Sequence, residues 1–367
     1  MKGLLRRPGI LVIATVVLIS LPTMLLIGGR SAGPRAAADP RGVALGSAAR
    51  SDLVDWRHQH LVSTPAPAPA VPVAATGTAT HTAAPAGPAP ASPRPASGLP
   101  SFSHVFTIVM ENEESTSILG NPAASYINGL ASTYGLALNY YGVSHPSLPN
   151  YLALTAGSTF GIASDCTTCY VGATNIADQV EASGRSWKAY MEDMPSPCYQ
   201  GAWSAAYAMK HDPFMYFNDI RTNAGRCAAH VVPLTQFWSD MASGRAPNYV
   251  FITPNMCNDM HDCAVATGDG WLRNVVPAIT NSAAFRSGGV LFITWDEGLT
   301  GAGCCGDAFG GRVATLIISP MAIGGYRSGV AESHFSILRT IEDAWHLGHL
   351  GGAADPGTAV MREYFRS

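Results

Sequence analysis

Lysine is nearly missing from the 367-residue chain: Lys2, Lys188 and Lys210 are the only three, and the other cations are scattered arginines. With 22 basic residues against 25 acidic ones and a net charge of −3, no basic stripe exists to follow a phosphate backbone, so nucleic acid is not an expected partner. A hydrophobic fraction of 47% with only 13% charged residues likewise excludes a disordered polyelectrolyte. No Gly-x-x-x-x-Gly-Lys loop occurs, which removes P-loop nucleotide hydrolysis. Gly-x-Ser-x-Gly occurs only at Gly29–Gly33, directly after an apolar run near the N-terminus, and nowhere in 101–367, which disfavours the common esterase arrangement. Aromatics are missing from residues 1–100 except for Trp56, and cysteine is missing before Cys166, whereas the same 100 residues hold 14 of the 26 prolines. The composition therefore changes near residue 100, and the chain divides into 1–38, 39–100 and a globular part 101–367.

Lys2, Arg6 and Arg7 precede an uncharged apolar run from Ile10 to Ile27, the order of an export signal. The run suits either a cleaved signal, with Ala36-Ala37-Ala38 as the small-residue site, or a retained N-terminal membrane anchor. Residues 39–100, Pro- and Ala-rich from Ser63 onward, bury almost nothing and read as an extended linker. The expected location is secreted or extracytoplasmic. In that setting the eight cysteines read as disulfides rather than a zinc site, because Cys166-Thr167-Thr168-Cys169 has no second pair to complete a tetrahedron. Cys166 with Cys169, Cys257 with Cys263, and Cys198 with Cys227 are the expected pairs, while adjacent Cys304 and Cys305 are expected to seek distant partners.

Within 101–367, apolar runs rich in β-branched residues recur at His104–Met110, Tyr249–Thr253, Val290–Trp295 and Val313–Ser319, and such runs are buried on both faces. Helix-like stretches lie between and beside them at Ala123–Thr133, Asn175–Ala182, Leu234–Ala242, Gly270–Phe285 and Ser333–Leu347. This alternation predicts an α/β fold with a mostly parallel central sheet flanked by helices on both faces. Ligands of such sheets sit beyond the carboxyl ends of the strands. Three of these ends are followed by Glu111-Asn112, by Asn255 through Asp259-Met260-His261-Asp262, and by Asp296-Glu297. One carboxylate there would be an ordinary cap or turn. Three groups at one edge concentrate negative charge that a cation or protons must neutralise, and oxygen donors point to a hard divalent metal.

Ser147, at the start of the helix-like run after Pro146, has two readings from spacing alone: a helix cap, or a nucleophile placed where helix N–H groups favour an anion. The motifs Glu111-Asn112, His145-Pro146-Ser147-Leu148-Pro149-Asn150, Asn255 to Asp262, Thr294-Trp295-Asp296-Glu297 and Ser333-His334-Phe335-Ser336 before Arg339 to Asp343 also occur in a familiar order. From about His104 to Leu347 the chain resembles the bacterial phosphoesterase family of secreted acid phosphatases and non-specific phospholipases C, which is alkaline phosphatase-like in fold. The resemblance implies that Ser147 takes the phosphoryl group and that Glu111, Asn112, Asp296 and Glu297 hold a divalent metal, one of Ca, Mg, Mn or Zn. It further implies that His261, His334 and His145 act near the phosphoryl oxygens or leaving group, with Asn150 and Asp259 in the substrate shell.

Phospholipase C members usually carry Thr as nucleophile and Arg after the Pro-Asn, where this chain has Ser147 and Tyr151. That places it with the compact phosphatases, and the implied activity is phosphomonoester hydrolysis, extending in some relatives to phosphoinositide headgroups. The implied partner is a phosphorylated small molecule or lipid headgroup. Phospholipase C-type diester cleavage is the enzymatic alternative, and a non-catalytic wall-associated binding domain is the alternative from another class. His211 is read as a packed histidine among aromatics, His346 and His349 as residues at the negative end of the last helix, Arg312 as a solvated residue after a glycine turn, and the tryptophans as core.

Overall fold

The computed structural model describes residues 98–366, so the expected segment 1–38 and nearly all of 39–100 lie outside it. Eleven strands occur in this span: β1 (Val105–Met110), β2 (Gly135–Tyr141), β3 (Trp187–Met191), β4 (Trp203–Ser204), β5 (Tyr207–Ala208), β6 (Val231–Pro233), β7 (Tyr249–Thr253), β8 (Val290–Trp295), β9 (Arg312–Ile318), β10 (Arg327–Ser328) and β11 (Glu332–Ser333). β4 and β5 form a separate hairpin, and the others make one sheet of order β10-β2-β9-β8-β1-β7-β3-β6, with β11 also on β2. Every pairing is parallel except those of β9 with β8 and β2, so β9 alone runs against the rest.

The central strands β1, β7 and β8 are buried at every residue, as their uninterrupted Val, Ile and Phe content requires. Both faces are therefore covered. Helix Ser147–Ala156 packs against His334–Trp345 and Ile176–Ala182, while Val265–Thr280 packs against Ser125–Thr133 and Thr235–Ala242. The expected run Gly270–Phe285 is two helices. Val265–Thr280 begins five residues earlier than expected, and Ser282, whose hydroxyl accepts the Phe285 N–H, restarts a short helix at Ala283. β2 and β3 were not expected, since Gly, Ala, Asn and Lys dilute their apolar pattern. Trp203 and Trp238 are exposed rather than core.

Helix Ser147–Ala156 is buried at all ten positions, which fixes it at the centre of the layer above the sheet. It stops at Gly157, whose φ of 69° is left-handed and whose missing Cβ makes room for the Leu350 carbonyl. Among the described residues, no helix is long and apolar enough to cross a membrane.

All eight cysteines are bonded: Cys166–Cys169, Cys198–Cys227 and Cys257–Cys263 as expected, and Cys304–Cys305 to each other, against expectation. The last pair sits in a tight turn with Cys305 in the left-handed region at φ 56° and Cys304 bridged to Ala308. Cross-linking stabilises chiefly by closing a loop in the unfolded chain. Replacing Cys198 and Cys227 by Ala should thus lower unfolding free energy by about 2–4 kcal/mol in denaturant titration, and replacing Cys304 and Cys305 by clearly less. Equal losses from the two double variants would contradict this ranking.

Candidate active site

Because all strands but β9 share one direction, the ends of β1, β2, β7, β8 and β11 deliver their following residues to one edge. Glu111 leaves β1 fully buried, and its N–H is held by the Asp259 carbonyl at 2.9 Å. Asn112 then adopts φ 52°, a left-handed conformation that Asn tolerates, and its backbone N–H donates to Asp296 Oδ1 at 3.1 Å. The loop leaving β2 closes on the same edge: a Cβ on Gly142 would meet the Asp296 carbonyl oxygen at 2.7 Å, so glycine alone permits the approach. That loop contains a cis His145–Pro146 bond and ends at Ser147, which is the first residue of its helix and is 1% exposed.

Ser147 Oγ donates to Glu111 Oε2 at 3.0 Å, and Tyr151, one turn on, donates its hydroxyl to Glu111 Oε1 at 2.5 Å. His211 lies between two carboxylates, with Nε2 3.2 Å from Glu111 Oε1 and Nδ1 3.3 Å from Asp259 Oδ2, and its ring stacks on Tyr151. The sequence reading of His211 as mere packing is thereby corrected. Burial raises the Glu111 carboxyl above its usual range against the pull of Lys210 and His261. Asp259 is raised to about 6, again chiefly by burial. Asp296 is raised well above the carboxylate range by burial and then by Glu111 and Glu297, and its Oδ2 is buried with no hydrogen-bond partner.

Two histidines flank this core in different protonation states. His145 faces acceptors at both nitrogens, Glu297 Oε2 at 2.7 Å and the Thr300 carbonyl at 3.0 Å, so the ring carries both protons. Its pKa is raised, most of all by the Glu297 hydrogen bond. His261 instead donates from Nδ1 to Asp262 at 2.7 Å and presents Nε2 to the Lys210 ammonium at 3.2 Å, as a neutral ring does. Burial lowers its pKa in agreement. Lys210 also donates to Asp165 Oδ2 at 3.1 Å, and Asp165 Oδ1 accepts the Leu148 N–H at 3.0 Å.

Three expected site residues take different positions. Asn150 is fully buried: its Oδ1 accepts the Val143 and Ser144 N–H groups at 2.7 and 2.9 Å and its amide donates to the Ser144 carbonyl, so it braces the loop that leads into Ser147. His334, also fully buried, bonds the Asp296 carbonyl at 2.5 Å and the Tyr140 hydroxyl at 3.2 Å, and burial lowers its pKa to about 4. Through these contacts it supports the end of β8. Glu297 engages His145 Nδ1 with Oε2 at 2.7 Å while remaining close enough to Glu111 and Asp296 to act on their charges. Among the described residues, no three of His, Cys, Asp and Glu already converge as a ligand set. His346 caps its helix and His349 pairs with Asp343, both outside the site, and Arg312 is half-buried on Ser115 rather than solvated. The sequence reading missed Lys210, Tyr151 and Asp165. A lysine in a chain with so few, next to a histidine, was the available signal.

A serine at a helix start, facing buried carboxylates at the carboxyl edge of a parallel sheet, defines an enzyme site for an anionic ester. Residues 106–348 match the Phosphoesterase family, and the chain belongs to that family of phosphoric-ester hydrolases. It is 31% identical over 262 residues to a phosphatidylinositol-3-phosphatase of Mycobacterium tuberculosis, covering 71% of this chain and 82% of that one. It is also 30% identical to a phosphate-repressible acid phosphatase of Penicillium chrysogenum, over 68% of this chain, and spans only 61% of that relative's length. Among solved structures, one from a study of glycosaminoglycan metabolism by Bacteroides thetaiotaomicron matches with a TM-score of 0.50 at 11% identity over 71% of this chain and 81% of the other. A protein of the alkaline phosphatase superfamily from Vibrio parahaemolyticus matches with a TM-score of 0.49 at 11% identity over 72% of each chain.

Asp212, beside His211, is buried with Oδ1 unpartnered, and burial raises it from 3.8 to about 7. Between those values the folded chain holds a proton that the unfolded chain has lost, so this contribution to stability is present at acid pH and disappears as pH rises through 7. Asp212→Asn should therefore gain in melting temperature relative to wild type on going from about pH 5 to about pH 8. A difference that stays constant or moves the other way would contradict the assignment.

Proposed function

We propose that this protein is an exported acid phosphatase that hydrolyses phosphomonoesters through a phosphoserine at Ser147. The observation that carries the reading is the Ser147 Oγ to Glu111 Oε2 hydrogen bond at 3.0 Å inside a cluster of raised carboxyls. Ser147 Oγ attacks phosphorus and its proton passes to Glu111 Oε2, the acceptor it already bonds at 3.0 Å, as the bond from phosphorus to the leaving oxygen breaks. His261 is part-exposed beside Lys210, and because burial lowers its pKa the ring must first take up a proton at acid pH before it can give one to the leaving oxygen. Water then releases phosphate from the serine. His334 and Asn150 position the β8 end and the nucleophile loop.

Glu111, Asn112 and Asp296 fit a hard divalent cation, Ca, Mg, Mn or Zn: their donors are oxygens, Asp296 Oδ2 is orphaned, and buried negative charge is in excess. Bound there, such a cation supplies neutralisation of the Ser147 alkoxide and the phosphoryl oxygens. The names of the bacterial and fungal relatives support a monoester substrate, and the first supports a phosphoinositide headgroup. Four disulfides suit the oxidising compartment that the export reading requires.

Ser147→Ala should lower turnover of a nitrophenyl phosphomonoester by about 10³-fold or more, and a nitrophenyl phosphocholine diester should be the poorer substrate. Preference for the diester would move the protein to the phospholipase C type, and turnover surviving in the variant would remove the nucleophile assignment. Asp296→Asn should cut kcat by about 10²–10³ and lower bound divalent metal measured by elemental analysis. Unchanged turnover and metal content would show that Asp296 holds no cation.

A further inference from the structure

A phosphate dianion beside Ser147 faces Glu111, Asp259, Asp296 and Glu297, all 6% exposed or less. Cations to offset them are scarce. Of the two described lysines, Lys188 is paired with Asp240, so Lys210 is the one at this edge, with a side chain 10% exposed. Its ammonium and the Leu148 N–H, which belongs to the residue after the nucleophile, are both directed at a single carboxylate, that of Asp165, at 3.1 and 3.0 Å. A carboxylate bridging an ammonium and a backbone N–H next to the nucleophile makes the contacts that two phosphoryl oxygens would make.

We infer that Lys210 Nζ and the Leu148 N–H form the phosphoryl-oxygen site of this enzyme and that Asp165 is a built-in occupant which substrate phosphate must displace. This rests on the phosphatase reading and adds to it a binding group and a gate. Asp165 is suited to leave. Its side chain is 28% exposed, it lies in a stretch between helix Ser147–Ala156 and helix Ile176–Ala182 that has no helix or strand of its own, and among the described residues its carboxylate has no other hydrogen-bonding partner than these two donors. A simple remote cap for the helix would use the Leu148 N–H alone. Engagement of Lys210, which also contacts His261 Nε2 at 3.2 Å, ties the carboxylate to the reacting groups instead. While Asp165 is in place the site is closed to phosphate, and the apparent affinity falls by the fraction of molecules that are open.

The test is calorimetric titration of inorganic phosphate into the full-length protein and its Asp165→Ala, Asp165→Asn and Lys210→Ala variants, each loaded with the same divalent cation, beside turnover of a nitrophenyl phosphomonoester. Both Asp165 variants should bind phosphate about tenfold more tightly than wild type, and Lys210→Ala about tenfold more weakly. Asp165→Asn keeps an acceptor for the Leu148 N–H, so it reports on the gate even if Asp165→Ala is poorly folded. A brace or cap predicts the opposite sign: unchanged or weaker phosphate binding in the Asp165 variants would overturn the inference while wild-type turnover leaves the phosphatase reading standing. Absence of both phosphate binding and turnover in every protein would overturn the two together.

Discussion

Buried negative charge at the carboxyl edge of the sheet is the constraint that the rest of the site answers to. Glu111, Asp259 and Asp296 have no exposed surface and Glu297 has 6%. Charged groups in such surroundings persist only when neutralised by protons, cations or donors. Each neighbour can be understood as one of these: Tyr151 and Ser147 donate to Glu111, His211 is set between Glu111 and Asp259, the His145 imidazolium pairs with Glu297, and Lys210 stands over the cluster. Asp296 Oδ2 is left over, buried and without a hydrogen-bond partner, which is the imbalance that the proposed cation would offset.

The fold makes this concentration affordable. A parallel sheet buried on both faces brings the ends of β1, β7 and β8 side by side, so three loops far apart in sequence converge without any long excursion of the chain. Second-layer contacts then hold the reacting groups: Asn150 fastens the loop before Ser147, the Asp259 carbonyl fixes the Glu111 N–H, and His334 secures the Asp296 carbonyl from beneath. Ser147, the proposed nucleophile, thus follows a braced loop and faces a Glu111 whose backbone is itself held in place.

The sheet's centre was legible because β1, β7 and β8 are unbroken apolar runs. The metal candidates were singled out because carboxylates and an amide follow those runs, and Ser147 because it opens a helix-like run after Pro146 within a familiar motif. β2 and β3 escaped because a strand with Gly, Ala, Asn or Lys gives no clear period, and the direction of β9 escaped because an antiparallel strand buried on both faces reads like a parallel one. Residue types at the site were easier to identify than residue roles. Asn150 and His334 lie in the motifs singled out, yet only three-dimensional contacts show that Asn150 is engaged by backbone groups of its own loop and His334 by the Asp296 carbonyl and the Tyr140 hydroxyl. His211 was read only as packing and Asp165 was not singled out, since neither follows an apolar run: His211 comes from the short 3-10 turn Met209–His211 and Asp165 from a stretch without helix or strand. The neighbouring cysteines Cys304 and Cys305 illustrate the same limit: their bond depends on the left-handed turn at Cys305, which spacing does not reveal.

The most direct measurement of the two-step account is the stereochemical course at phosphorus, followed with an isotopically chiral phosphomonoester and transfer to an acceptor alcohol. Passage through Ser147 followed by a second displacement predicts overall retention of configuration. Inversion would mean that the acceptor attacks the substrate itself, and would contradict a phosphoserine intermediate.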